Sequence, residues 1–283
     1  MRKSILLFGI TAAALVAAYV FIIYARAYEK LDDSSTAWLT SKLITHRGLH
    51  SEGIPENSIS AFKASVEKGY PIELDVQLTR DEKLVVLHDK KLKRIFEQDI
   101  WLKDITYQDL SKLYFSNSKE TVPLFTEVLS MVNGKVPLLI EIKNEGSVGN
   151  LESILYSQLK SYKGDYAVQS FNPYSLKWFR ENAPEVIRGQ LSGSFLVTDY
   201  DVEYAGTTRL PWYKKFILSN FLLNFQSRPN FIAYEIKHTS ENKLISLRKF
   251  NIPVIGWAVD DKEEYLRTRD YFDNFIVNTV NIK

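Results

Sequence analysis

Short apolar runs alternate along this chain with segments whose apolar side chains recur at helical spacing. Residues 43–46 form the first such run, and residues 58–68 place Ala61, Phe62, Ser65 and Val66 on one helical face. Asn57 or Ser58 supplies an N-cap for that helix and Gly69 a stop. A second strand is predicted over 71–78, then an excursion in which 84–87 is extended, and a helix over 125–132 behind Pro123. Strands over 137–142, 166–170, 187–191, 231–236, 253–258 and 275–279 follow, with helices over 149–159, 173–181, 240–250 and 262–271 between them. Eight main strands in about 240 residues of repeated βα units predict an α/β chain, a (β/α)8 TIM barrel. A doubly wound open sheet is the alternative. It would be expected to carry a Gly-rich phosphate fingerprint after the first strand, and none is present.

The N-terminus breaks this rhythm. Residues 4–24 hold no charge and are mostly Ile, Leu, Val, Ala and Phe. A helix of roughly 20 such residues spans a hydrocarbon core of about 30 Å. Arg2 and Lys3 precede it; Arg26, Glu29 and Lys30 follow. The expected layout is an N-terminal transmembrane anchor over 1–26, a polar linker over 27–41 and the barrel over 42–283. A cleaved signal peptide is the rival, with Ala25-Arg26-Ala27 as its cleavage site, but the apolar run is long for a signal and Arg26 fits that site badly. The acidic residues after the run tilt the expectation to an N-inside, single-pass cell-membrane protein with its main domain outside.

Composition narrows the chemistry. A net charge of +2 without a basic block predicts no nucleic-acid partner, and the absence of cysteine excludes disulfides and thiolate chemistry. The polar residues that interrupt the strands are more informative. His46 ends the first strand, and Glu73 and Asp75, two apart on the second, point to one side. Glu141 and Lys143 repeat that spacing at the end of the next main strand. Gln169, Glu235 and Trp257 stand at or near later strand ends, and His88 follows the 84–87 run. Buried polar groups cost several kcal/mol unless paired or hydrated. Their recurrence at one end of successive strands predicts a shared polar mouth, where barrels of this kind place catalytic groups. Taken singly, each has a structural explanation: a solvated carboxylate face, a Glu141–Lys143 ion pair, a hydrogen-bonded histidine. His50 and His238 are left with that explanation.

The run His46-Arg47-Gly48, then Pro55-Glu56-Asn57 with Ala61-Phe62, Glu73-x-Asp75, His88-Asp89 and Glu141-Ile142-Lys143, resembles the glycerophosphodiester phosphodiesterase family. Val122-Pro123-Leu124, Gln169-Ser170-Phe171 and Gly256-Trp257-Ala258-Val259 extend the resemblance from residue 43 to the C-terminus. It implies a (β/α)8 barrel that hydrolyses glycerophosphodiesters to sn-glycerol 3-phosphate and an alcohol with a divalent cation, and residues 79–121 match the family insertion in short form. Carried over residue by residue, it implies Glu73, Asp75 and Glu141 as metal ligands. Three carboxylates suit Mg²⁺ or Ca²⁺. His46 and His88 would be general acid and base, Arg47 and Lys143 phosphate-binding groups, with Asn57 facing the site and Trp257 lining the glycerol pocket. One histidine would free a glycerol hydroxyl to attack phosphorus while the other protonates the departing alcohol. Many family members carry Thr-Asp at the end of the last strand; here Val277-Asn278 stands there.

Between residues 195 and 231 the chain is richer in aromatic and aliphatic residues than a βα loop requires, with Trp212, Tyr213, Phe216, Ile217 and Leu218 in one run. A helix covering the barrel explains it. So does an apolar lip that receives the acyl part of a membrane lysolipid, which makes a lysophospholipase D the second activity considered. A non-catalytic barrel binding protein is the third.

Overall fold

A computed structural model describes residues 2–144 and 146–282, with the side chains of residues 2–10, 12, 13 and 18 outside the description. Eight parallel strands close on themselves: β1 (Ile44–Thr45), β2 (Ile72–Leu78), β4 (Leu138–Ile142), β5 (Tyr166–Ser170), β6 (Ile187–Ser192), β7 (Phe231–Glu235), β8 (Val254–Val259) and β9 (Asn274–Val277). The ring is completed where β1 pairs with both β2 and β9. The one antiparallel strand among the described residues, β3 (Leu84–Val86), folds back on β2 with Val86 opposite Val76. This is the expected barrel, with the short excursion after its second strand.

Alternation along each strand sorts the side chains into two cores. Ile72, Leu74, Leu138, Ile140 and Val168 point outward against the surrounding helices. Ile44, Leu139, Ala167, Phe231, Ala233, Ile255 and Ile276 fill the interior. The Phe231 ring lies where a side chain on Gly189 would sit, 2.0 Å from its hypothetical Cβ, so glycine there is a packing requirement. The helix Ile59–Lys68 starts at Ser58, whose hydroxyl accepts from the Ala61 amide, and ends at Gly69 in the left-handed region. The excursion carries its own small core, with Leu92, Phe96, Leu102, Ile105, Leu110 and Phe115 packed on β3.

One N-terminal expectation changes, and another is left without support. Residues 27–41 are not a free polar linker. Asp33–Ser41 is a helix whose Leu39 is buried with the interior residues at the bottom of the barrel. Asn274 donates to the Leu39 and Lys42 carbonyls, and Glu29 pairs with Arg188 at 2.8 Å. Tertiary contacts thus order a stretch whose composition reads as solvent-facing. Residues 2–25 do form one helix, Arg2–Ala25. Much of the expected span, however, falls on side chains outside the description. Among the described residues, no helix is long and apolar enough to cross a membrane. The transmembrane anchor is therefore not supported by the fold.

Candidate active site

Strand register gathers the carboxylates. Asp75 on β2 lies opposite Glu141 on β4, which lies opposite Gln169 on β5, and Glu73 sits one inward position below Asp75. Strands run about 4.8 Å apart, so inward side chains at one level crowd together. Oxygens of Glu73, Asp75 and Glu141 indeed lie within 4.8 Å of one another, all three residues buried. Lys143, two residues beyond Glu141, reaches back to Glu141 at 3.0 Å and Asp75 at 3.5 Å.

The loop after β1 completes one side of this cluster. Arg47 (φ 56°) and Asn57 (φ 55°) both adopt left-handed backbone, which non-glycine residues hold only where their surroundings impose it. The Asn57 amide donates to the Arg47 carbonyl at 2.9 Å, and its side chain donates to Asp75 at 2.9 Å. Arg47 donates its backbone N–H to Glu73 and its guanidinium to Glu56 at 2.7 Å. Gly48 (φ 80°) packs so closely on the next helix that a Cβ would lie 2.9 Å from the Ala61 backbone.

The two histidines arrive from opposite sides. His46 follows β1, with its amide bonded to the Val277 carbonyl and its Nδ1 2.6 Å from Asn278 Oδ1. His88 arrives on the antiparallel return: the Leu87 amide bonds the Asp75 carbonyl, which brings the next residue down to the carboxylates. The Gln77 side-chain amide holds this turn through the Leu87, His88 and Asp89 carbonyls. His88 Nδ1 lies 2.7 Å from Asp89 Oδ1, and Asp89 is gripped in turn by the two-pronged guanidinium of Arg94. Arg94 also bonds Glu56 at 2.6 Å, which closes a chain of ions from Arg47 to His88.

The electrostatics reflect crowding and burial together. Burial, then the charges of Asp75 and Glu141, raises Glu73 well above the usual carboxylate range. Burial pushes Glu141 up to about 7 although Lys143 opposes it. Asp75 is held low despite its burial, by Lys143, His88 and Arg47. Burial and then the Arg47 charge bring His46 down to about 4, and the same two causes lower His88.

Above the carboxylates opens a cavity of about 980 Å³. His46, Arg47, Glu73, His88, Glu141 and Lys143 line its floor. Its walls are largely apolar: Phe171 packs edge-on against both Trp257 and Phe195, and Leu196, Leu210 and Ile217 continue the surface. Trp257 Nε1 is buried with no hydrogen-bond partner among the described residues. Glu235 faces the cavity too, but it serves the roof by accepting from the Ser194 amide and hydroxyl. Every predicted site residue therefore lies in or against one mouth, Asn57 and Asp75 as buried supports. His238 is exposed and apart; His50 lies close to Asn278, with burial lowering its pKa.

Against known families, residues 46–277 match the profile of the glycerophosphoryl diester phosphodiesterase family. The chain belongs to this family. It is a phosphoric diester hydrolase. A glycerophosphodiester phosphodiesterase of Caldanaerobacter subterraneus is 32% identical over 240 residues, covering 80% of this chain and 88% of that one. A human lysophospholipase D is 34% identical over 121 residues, 38% of each chain. Among solved structures, an Oleispira antarctica phosphodiesterase, determined with its product sn-glycerol 3-phosphate, superposes with a TM-score of 0.69. It is 18% identical and covers 86% of this chain and 95% of that one, a likeness of fold.

Four members of the network were not singled out from sequence as working residues. Glu56 and Asp89 stand inside motifs that carry the family resemblance, and Asn278 stands where the family's acidic residue is replaced. Arg94 gave no signal, because its position in the excursion is helical and unremarkable in composition.

Proposed function

We propose that this protein hydrolyses glycerophosphodiesters to sn-glycerol 3-phosphate and an alcohol, with a divalent cation held by Glu73, Asp75 and Glu141. The observation that carries this reading is the meeting of those carboxylates, two histidines and Arg47 at the base of one cavity, with Asp75 buried just behind its lining. The donor set fits a hard cation. Asp75 Oδ1 is buried without a hydrogen-bond partner among the described residues, and burial with mutual repulsion raises the pKa values of Glu73 and Glu141, as expected of carboxylates arranged around a positive charge. Mg²⁺ and Ca²⁺ both suit three oxygen-donor carboxylates; such an ion, when bound, would neutralise charge on the phosphoryl oxygens.

The chain's own groups do the rest. Arg47 offers a planar fork to a phosphate oxygen and Lys143 a point charge. His46, oriented by the neutral Asn278 with its Nε2 lone pair towards the cavity, takes the proton of a glycerol hydroxyl, and that oxygen attacks phosphorus. His88, whose imidazolium form the Asp89 carboxylate stabilises, gives its proton to the departing alcohol oxygen. Water then opens the cyclic phosphate with the two roles exchanged. Trp257 Nε1 is placed to donate to a substrate oxygen.

A lysophospholipase D activity is the second reading, supported by the apolar cavity walls, which exceed what a glycerol moiety needs, and by the human relative's name. We also propose a single-pass membrane anchor over residues 1–26, with the barrel outside the cell. Its support is the uncharged stretch and the exposure of Leu15, Val16, Tyr19, Val20, Phe21, Ile22, Ile23 and Tyr24 on every side of the helix. Glycerol 3-phosphate release from glycerophosphocholine, with and without EDTA, tests the hydrolysis. Release should stop with EDTA and return with Mg²⁺ or Ca²⁺. Absence of release under both metals, with lysophosphatidylcholine equally inert, would leave only a binding role.

A further inference from the structure

The helix Trp212–Ser219 has two apolar faces. Tyr213, Ile217 and Leu218 look into the cavity. Trp212 and Phe216, one turn apart, look away from it, 79% and 58% exposed. Leu196, at 62% exposure, adds to the rim on the cavity's edge, and Lys214, exposed on the helix's other side, also borders the cavity. Isolated apolar side chains on a surface need no explanation, but a contiguous patch at a cavity mouth marks a contact. Three observations indicate that the contact is with lipid. Trp212 packs edge-on against Tyr213, which lines the cavity, so whatever covers the patch sits beside the route to the carboxylates. A tryptophan, a phenylalanine and a lysine on one exposed helix are the side chains favoured at an anionic bilayer surface. The N-terminal helix exposes apolar side chains from Leu15 to Tyr24, which independently favours a lipid environment for this chain.

We propose that the Trp212–Phe216 face docks on an anionic lipid bilayer and that a single-chain glycerophosphodiester lipid passes from the bilayer into the cavity. Its phosphodiester reaches the carboxylate floor while its hydrocarbon stays against Phe195, Leu196 and Ile217. The proposal rests on the hydrolytic reading of the floor, and the experiment separates the two. Trp212 and Phe216 do not line the cavity, so their replacement spares the chemistry.

Full-length protein is reconstituted into phosphatidylcholine liposomes with and without phosphatidylglycerol. Trp212→Ser/Phe216→Ser should lower turnover of liposome-held lysophosphatidylcholine at least tenfold and leave soluble glycerophosphocholine turnover unchanged. The first helix holds no tryptophan, so quenching by brominated lipids reports the barrel. Quenching should fall in Trp212→Phe. Equal turnover of liposome-held lysophosphatidylcholine by variant and wild type, or quenching unaltered in Trp212→Phe, overturns the proposal. A change in oligomeric state of the variant in detergent, without loss of quenching, makes the patch a protein interface and overturns it also. If neither substrate is turned over by the wild type, the hydrolytic reading fails while quenching still decides docking.

Discussion

Asn278 turns its side-chain oxygen to His46 Nδ1 at 2.6 Å because its Nδ2 is committed to the Asp260 carboxylate. A carboxylate accepts only, so the amide cannot be flipped without losing that bond. His46 must then carry its proton on Nδ1, which leaves the Nε2 lone pair facing the cavity. Asn278 thus acts as a neutral orienting group for His46.

Asn278→Asp should therefore raise the His46 pKa from about 4, since a neighbouring negative charge favours the imidazolium. NMR titration of the imidazole would show it, and the acidic limb of the pH–rate profile should move to higher pH in parallel. His46→Ala should cost about 10²–10⁴-fold in kcat, the usual contribution of a positioned proton-transfer group. A loss under twofold would remove His46 from the mechanism.

Arg94 touches no predicted catalytic atom, yet it holds both Asp89 and Glu56. Arg94→Gln should lower kcat by on the order of 10²-fold through misplacement of His88 and Arg47. Arg94→Lys should recover little, because an ammonium cannot span both carboxylates as a fork does. Substantial recovery in the lysine variant would mean that charge alone matters there.

Cation binding should release protons and strengthen with pH. Glu141 is raised to about 7 and Glu73 well above its usual value, so both compete with metal for protons below those values. The sign for stability is opposite. In the metal-free protein a raised carboxylate pKa means that the folded state holds more protons than the unfolded chain, whose Glu titrates near 4.3. Its contribution is complete below about 4.3 and is lost as pH rises through about 7. Thermal melts of EDTA-treated protein should show that window, and Ca²⁺ or Mg²⁺ should remove it.

Gly48→Ala should cost about 1–3 kcal/mol, from left-handed backbone and from a Cβ placed 2.9 Å from Ala61. Chemical denaturation measures it. An unchanged midpoint would show that the helix after the loop shifts freely.

The barrel was legible because each strand is a short apolar run between strong breakers, and the site because its charged residues interrupt those runs. Glu73, Asp75, Glu141 and Lys143 follow from period-two alternation alone. Arg94 does not, since an exposed-looking arginine in a four-residue helix resembles any surface cation until its partners are placed. The helix Asp33–Ser41 was missed for a similar reason: apart from Trp38 and Leu39 its sequence is polar, and its burial comes from the barrel floor it meets.

The antiparallel return through β3 divides ownership of the active site. The three clustered carboxylates stand on β2 and β4, woven into the closed ring, whereas His88 belongs to a lobe with its own small core, clasped to the ring by Gln77 and by the Arg94–Glu56 pair. Local opening of such a lobe costs less than opening the ring. Warming should thus produce an idle form, with its cation retained and its turnover gone, before the barrel itself melts.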